Sequence, residues 1–194
     1  MKKIMTLLVG FTFIVGCAGA DFKREVSDDN IFYSTHKPSI KIKINPEFKL
    51  IKDQHRVKIV PETHIKKETF VFQHTKNKSR KTIAIQFSRI TKSGVAYNPN
   101  FFSNATNLYD RGSIYYLGKF YDFCINAEKI KSGYRLNKLI GCRTGLYNEG
   151  LFLIVYSEIV SDGDWSNIKN ISHDQQEHLL RFIEQSEKDI KIIE

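Results

Sequence analysis

Cysteine, proline and glycine are scarce in this chain of 194 residues, which contains 3 Cys, 4 Pro and 11 Gly. Three cysteines are too few for a small disulfide-stabilised scaffold, and the low proline and glycine content excludes a collagen-like or low-complexity chain. No apolar run reaches the roughly 20 residues that a helix needs to cross a bilayer. With 41% hydrophobic and 26% charged residues, the composition is that of one ordinary globular domain.

Local catalytic and metal-binding motifs are absent as well. The sequence has no Cys-x-x-Cys, no Gly-x-Ser-x-Gly and no glycine-rich phosphate loop. It therefore names no catalytic residue and no cofactor. His173, Glu177 and His178 are weak metal-ligand candidates at one helix start, and a solvated first turn of an amphipathic helix is the favoured interpretation of these residues. An uncharacterised hydrolase or metal enzyme stays an alternative, because a site assembled from distant strands leaves no local motif.

The first twenty residues have the pattern of a secretion signal. Two lysines follow Met1, an apolar stretch runs from Ile4 to Val15, and small residues follow it. This pattern predicts a signal peptide over residues 1–16. An ordinary signal peptide cut after Ala18 or Ala20 is the alternative, because small residues also flank those positions.

The segment Ile14-Val15-Gly16-Cys17 resembles the lipobox of bacterial lipoproteins. The resemblance implies that the Cys17 thiol carries a diacylglyceryl group, that cleavage precedes Cys17, and that its amine is acylated, for instance with palmitate. Two or three acyl chains give stable anchoring. The expected location is the bacterial cell envelope. Because Ala18 rather than Asp follows the cysteine, a Gram-negative organism would place the protein at the outer membrane, facing the periplasm.

The remaining chain divides into a tether and one domain. Residues 17–38 mix acidic and basic residues without apolar periodicity, which predicts a lipidated cysteine and a flexible tether. Residues 39–194 contain the periodic segments, and no internal repeat divides them. We expect a single globular domain over residues 39–194.

Alternating apolar and polar residues predict an antiparallel meander sheet of six to eight strands. Residues 39–44 alternate strictly, which places Ile40, Ile42 and Ile44 on one face. Seven further β-rich runs are separated by turn-forming stretches, and they cover residues 56–60, 68–74, 82–90, 113–117, 120–127, 139–146 and 151–159. Residues 100–110 are ambiguous and could form a short helix.

A C-terminal amphipathic helix is predicted after Ser172, which forms a capping-box pattern with Gln175. Leucine and isoleucine recur at helical spacing downstream, and such an apolar stripe must pack on the sheet. The expected fold class is α+β, with the sheet under the helix. The order of elements resembles the PsbP and Mog1-like α/β/α sandwiches, a likeness of fold that no sequence motif carries.

Cys124 and Cys142 are symmetric about Gly133, which lies in the turn between two predicted strands. A hairpin in that register would place the two cysteines opposite each other, and export would allow a disulfide. A register shifted by one residue would instead point them to opposite faces and leave two free thiols.

Aromatic residues are concentrated between Tyr97 and Phe123. Adjacent aromatics such as Tyr115-Tyr116 and Phe120-Tyr121 must lie on opposite sheet faces, so one face needs a second covering layer. We expect residues 100–110 to supply it. A bare apolar surface there would indicate a partner site, and a pocket among these aromatics would suit a small apolar or lipid-like ligand.

The formal net charge of +9 is distributed unevenly. Residues 37–92 hold fifteen basic and four acidic residues, whereas residues 145–194 hold four and ten. A basic face on an exported domain suits an anionic envelope surface or envelope protein, and nucleic acid is not expected as a partner in that compartment. The sequence thus favours a non-catalytic, membrane-anchored lipoprotein that binds or assembles an envelope component. Lysines that merely solubilise the sheet are the alternative.

Overall fold

The structure, a computed structural model, describes residues 23–60, 63–76, 80–91, 102, 106–144 and 150–193. Within these ranges the side chains of residues 55–60 and 63–64 are not described. The predicted signal peptide and Cys17 lie outside the described residues, as does most of the ambiguous segment before Leu108.

Eleven strands and one helix make up the described part of the chain. In chain order they are β1 (Arg24–Val26), β2 (Ile31–Ser34), β3 (Ile40–Ile44), β4 (Phe48–Val60), β5 (Thr63–His74), β6 (Lys81–Ile90), β7 (Leu108–Tyr116), β8 (Lys119–Ile130), β9 (Gly133–Thr144), β10 (Gly150–Val160), α1 (His173–Asp189) and β11 (Ile190–Ile192).

Two antiparallel sheets are formed. The large sheet has seven strands in the order β4-β5-β6-β10-β9-β8-β7, and the small sheet has four in the order β1-β2-β3-β11. The large sheet consists of two hairpin-connected runs, β4-β5-β6 and β7-β8-β9-β10, which join where β6 pairs with β10. The α+β class with a meander sheet and a C-terminal helix is therefore confirmed, and the small sheet is an addition that the sequence did not reveal.

The hydrophobic core lies between the inner face of the large sheet and a layer made of the small sheet and α1. The predicted alternation in β3 is confirmed, because Ile40, Ile42 and Ile44 are buried while the lysines between them are exposed. Large core side chains from both layers meet here, and the fully buried ones include Phe32, Phe70, Phe72, Phe152, Tyr156 and Phe182. Burial of this apolar surface is the main stabilising contribution to such a fold.

Helix α1 begins as the sequence predicts. Ser172 accepts a hydrogen bond from the backbone N–H of Gln175, and the Gln175 side chain accepts one from the Ser172 N–H, which completes the capping box. Leu179 and Phe182 face the core, and the Phe182 ring lies 5.3 Å from that of Tyr156. Leu180, expected in the apolar stripe, is exposed.

The predicted tether over residues 17–38 is wrong from Lys23 onward. β1 and β2 belong to the small sheet, and Phe32 is completely buried against the Phe70 and Phe87 rings. The domain therefore starts no later than Lys23. These strands could not be predicted from the sequence, because three and four residues are too few to show an alternation of apolar and polar residues.

The register of the β8–β9 hairpin differs from the symmetric one that the sequence suggested. Ile130 pairs with Gly133, so the loop contains only two residues, and Cys124 pairs with Leu139. Cys142, three residues beyond Leu139, points to the other face and pairs with Phe152 on β10. Both cysteines are free, and the predicted disulfide is wrong for this register.

Candidate functional site

A cleft of about 360 Å³ opens at one end of the large sheet, on its inner face. We call this the cleft end; it is where β5 and β10 begin and where β6 and β9 end. β1 and the β2–β3 loop overhang the sheet here. Six titratable side chains line the cleft, and they are Arg24, His36, Lys37, Lys66, Glu68 and Arg89.

Phe87 forms the floor of the cleft and positions Arg24. The Phe87 ring packs against Phe32 and Phe152, with centroid separations of 5.8 Å and 5.1 Å. The Arg24 guanidinium lies 4.0 Å from the Phe87 ring centroid, which is a cation–π contact. Because the ring is fixed by the core, the cation above it is fixed as well.

Arg24 also forms an ion pair at the back of the cleft. Its Nη1 donates to Glu68 Oε2 at 2.6 Å, and its side chain is only 10% exposed. The Arg24 Nε is buried and has no hydrogen-bond partner among the described residues. A buried donor without a partner costs free energy, and a ligand acceptor in the cleft would remove that cost.

Lys66 and Arg89 stand opposite each other on neighbouring strands, in the row that also contains Gly150 and Thr144. Like charges in directly opposed ladder positions are destabilising. Neither cation, nor Lys37 at the loop, has an ion-pair partner among the described residues. The cleft thus concentrates positive charge that no described carboxylate balances.

His36 lies in the β2–β3 loop above these cations. Partial burial lowers its pKa below the ordinary value, and the neighbouring positive charges of Arg24 and Arg89 lower it further. Glu68 acts in the opposite direction. His36 is therefore mainly neutral at pH 7, and a negative charge in the cleft would favour its protonated form.

The arrangement is suited to binding an anion. Four cationic side chains face one carboxylate, and that carboxylate is already paired with Arg24. An arginine side chain offers a planar fork of donors that matches phosphate or carboxylate oxygens, and a lysine adds a mobile positive charge. Gly150 keeps the wall of the cleft tight, since a Cβ there would lie 2.1 Å from Thr144 Oγ1.

The weak metal candidates do not converge. His173 Nε2 lies 3.4 Å from Glu177 Oε1 on the exposed side of α1, whereas His178 faces Glu158, at 3.7 Å, and the Trp165 ring. In the described ranges no three His, Cys, Asp or Glu side chains are close enough to hold a metal ion. His178 lines a second cleft of about 400 Å³ whose acidic and basic side chains are mixed, so that cleft has no preference of sign.

The two cysteines of the predicted disulfide are buried or half-buried thiols. Desolvation raises the pKa of each thiol to about 11, so both are protonated at neutral pH. A protonated thiol is a poor nucleophile and a poor metal ligand, and neither cysteine belongs to the cleft.

The aromatic cluster of the middle of the chain does not form a ligand pocket in its described part. Tyr121 is buried in the core, whereas Tyr109, Tyr115, Tyr116 and Phe120 are exposed. None of these side chains lines either cleft. The predicted covering helix over residues 100–110 is wrong at its end, because residues 108–110 begin strand β7.

Sequence reasoning missed the cleft because its residues come from distant parts of the chain. Arg24, His36 and Lys37 lay within the predicted tether, and Lys66 and Arg89 were counted only in the overall charge. The one usable signal was the basic early part of the chain, residues 37–92, which contains six of the lining residues.

No helix in the part of the chain that the structure describes is long and apolar enough to cross a membrane. In comparisons with known proteins, no family model, no curated protein and no solved structure matches this chain.

Proposed function

We propose that this protein is a non-catalytic, membrane-anchored envelope lipoprotein that binds an anionic envelope component through the cleft. The observation that carries the proposal is the group of cations around the cleft, of which Lys37, Lys66 and Arg89 have no acidic partner among the described residues. The ligand chemistry is a phosphate or carboxylate group, as found on lipid headgroups, envelope polymers or free anions.

The physical support for the proposal is the free energy that the cleft side chains cost the empty protein. Opposed cations on β5 and β6 repel each other, and the buried Arg24 Nε loses its hydrogen bond to water. A bound oxyanion would offset both costs at once.

The anchor rests on the lipobox-like segment that ends at Cys17. Mass spectrometry of the protein purified from membranes tests it directly. We expect an N-terminal peptide that begins at Cys17 and carries acyl chains, and Cys17→Ser should release the protein from the membrane fraction. An unmodified peptide that begins at residue 19 or 21 would contradict the lipoprotein assignment.

Binding is tested with a soluble chain that begins at Ala18, which retains every described strand and the helix. Calorimetric titration with inorganic phosphate, glycerol phosphate and acetate separates a free phosphate, a lipid headgroup phosphate and a carboxylate. Arg89→Ala should weaken the preferred anion about tenfold or more, since hydrogen bonds to charged groups contribute roughly 1.5–3 kcal/mol.

The matched control is Lys43→Ala, which removes one exposed cation from β3 outside the cleft. Equal losses in both variants would mean that only overall charge matters. Absence of binding for all three anions at millimolar concentration would refute the cleft as a binding site.

A further inference from the structure

A second surface of the molecule, the tip of the β7–β8 hairpin, is apolar and exposed. We call Tyr115, Leu117 and Phe120 the aromatic tip; the neighbouring Tyr116 lies on the other face and donates its hydroxyl to the Ile192 carbonyl at 2.7 Å. Phe120 is 71% exposed, Tyr115 65% and Leu117 54%. The Tyr115 and Phe120 rings contact each other, with centroids 4.8 Å apart. A contiguous exposed cluster of this kind marks an interaction surface more often than a random feature.

The hairpin turn at the aromatic tip has a strained backbone, because a leucine occupies a left-handed position. The hairpin turns through Leu117 and Gly118, which have φ values of 47° and 76°. Such a two-residue turn favours Asn-Gly or Asp-Gly, because a left-handed conformation is costly for a leucine. Leu117 gains no burial that would offset this cost. A strained, exposed leucine at a hairpin end suggests that its side chain is used outside the domain.

The aromatic tip lies at the cleft end of the large sheet. The cleft row contains Arg89, Gly150 and Thr144, and β8 begins at Lys119 beside the end of β9. The described chain also enters at this end, where Lys23 exchanges hydrogen bonds with Thr35 and Arg24 enters the cleft. Cations, aromatic side chains and the start of the domain therefore share one end of the molecule.

Chain length connects this end to the membrane. Five residues lie between Cys17 and Lys23, which makes six residue-to-residue steps, and a fully extended chain spans at most about 3.3–3.6 Å per step, or about 20 Å in total. If Cys17 is acylated, the cleft end cannot be farther than this from the bilayer surface. Asp162, Asp164 and Asp174 lie at the opposite end, beside the start of α1.

We infer that the aromatic tip inserts into the interfacial region of an anionic bilayer and orients the domain with its cleft toward the lipid headgroups. Tyrosine and phenylalanine are suited to this region, because their rings enter the acyl boundary while a tyrosine hydroxyl stays at the headgroups. Lys119 and the cleft cations add electrostatic attraction to the anionic headgroups near the surface. The orientation toward the cleft rests on the proposed function.

Insertion is measured with a tryptophan reporter. The natural chain has a single tryptophan, Trp165, which is buried at the helix end and gives a constant background. Phe120→Trp places a second indole in the aromatic tip of the chain that begins at Ala18. With vesicles of phosphatidylglycerol we expect a blue shift and quenching by brominated acyl chains. Leu180→Trp, at an exposed position on α1 away from the aromatic tip, should show neither.

Leu117→Asn separates insertion from folding. Asparagine suits the left-handed turn position, so the variant should unfold at a higher temperature than the natural chain while its vesicle partition coefficient falls about tenfold. A variant that is more stable and yet binds vesicles less cannot owe its loss of binding to misfolding. Undiminished partitioning of Leu117→Asn would overturn the inference.

The reporter experiment also distinguishes a bilayer from other partners of the aromatic tip. A blue shift of the Phe120→Trp reporter that grows with protein concentration in the absence of vesicles would show that the aromatic tip contacts a second copy, and would overturn the inference. If the reporter fails to respond while Arg89→Ala still lowers anion binding, the inference fails and the proposed function stands. If no anion binds but the reporter inserts, the proposed function fails and insertion stands on its own.

Discussion

At the scale of single residues, the chain places charges where a purely structural optimum would not. Arg24 is buried on an aromatic floor and leaves Nε without a partner among the described residues. Lys66 faces Arg89 across a ladder although the large sheet has acidic residues elsewhere. Each position lowers the stability of the empty domain, and both positions become favourable when an anion is present.

His36 reports on the occupancy of the cleft. Burial and the charges of Arg24 and Arg89 lower its pKa in the free protein. A bound anion favours the imidazolium, so we expect the pKa of His36 to rise on binding. Affinity should then increase as pH falls through the bound-state pKa and level off below the free-state pKa. Sulfate is the suitable probe because its own charge does not change in this range. Proton NMR titration with and without sulfate gives the shift.

The histidine His173 is the internal control, since it lies on the exposed side of α1 away from the cleft. Its signals should not respond to sulfate. His36→Gln should abolish the pH dependence of sulfate affinity between pH 5 and 8. Unchanged pH dependence in that variant would show that another group takes up the proton.

The two thiols predict a loss of stability in alkali. Their pKa values are raised to about 11 in the folded protein, against about 8.5 in an unfolded chain. A raised folded-state pKa means that stability is complete below about pH 8.5 and falls as pH rises toward 11, by about 1.4 kcal/mol per pH unit for each thiol. Urea unfolding at pH 8, 9 and 10 measures this slope.

Cys124→Ala should remove the contribution of one thiol to that slope. A disulfide between Cys124 and Cys142 would leave no thiol to titrate in the natural chain, and Cys124→Ala would then free the Cys142 thiol and steepen the slope instead of reducing it. Thiol counting in denaturant supplies a second readout. The chain that begins at Ala18 should contain two free thiols with or without reductant, as the register of β8 and β9 requires.

At the scale of elements, α1 is specified by local sequence at its start and by tertiary contacts at its end. The capping box at Ser172 requires only residues three positions apart. The last residue of α1, Asp189, is buried and accepts hydrogen bonds from Tyr156 Oη at 2.9 Å and Asn45 Nδ2 at 2.7 Å. These contacts join the helix to the large sheet and to the turn after β3, and no local sequence pattern predicts them.

Removing the cap should destabilise the domain measurably. Ser172→Ala deletes the acceptor for the Gln175 N–H, and we expect the free energy of unfolding to fall by about 1 kcal/mol. Denaturant unfolding followed by circular dichroism measures the change. Ser39→Ala, at an exposed serine with no described hydrogen bond, is the matched control and should lie within about 0.5 kcal/mol of the natural chain. Equal effects in both variants would contradict the cap.

At the scale of the whole molecule, the domain boundary decides whether the chain folds. A chain that begins at Ser39 lacks β1 and β2, and with them the fully buried Phe32. Loss of a buried phenylalanine side chain alone costs about 3–5 kcal/mol, which is a large share of the total stability of about 5–15 kcal/mol. We expect no cooperative thermal transition for this chain.

The chain that begins at Ala18 is the control and should unfold cooperatively. Phe32→Ala in that chain should lower the unfolding temperature, because Phe32 packs against Phe70 and Phe87 in the core. A fully stable chain from Ser39 would restore the tether that the sequence suggested.

Sequence patterns predicted the elements whose signal is local and long. The strict alternation at residues 40–44, the long strands of the large sheet and the cap of α1 could all be predicted from the sequence. β1 and β2 were missed because three or four residues carry too little periodicity. The cysteine register was missed because a two-residue loop and a longer loop fit the same turn-forming segment, and a shift of an odd number of residues reverses the face.

The sequence by itself determined the α+β class, the apolar and polar faces of β3, the start of α1 and the uneven distribution of charge. Only the tertiary structure decided that Arg24, Lys37, Lys66 and Arg89 share one cleft, and that the aromatic tip lies at the same end. The physical reason is that alternation and capping are properties of neighbouring residues. Convergence depends on strand order and register, which are set by the packing of the whole core.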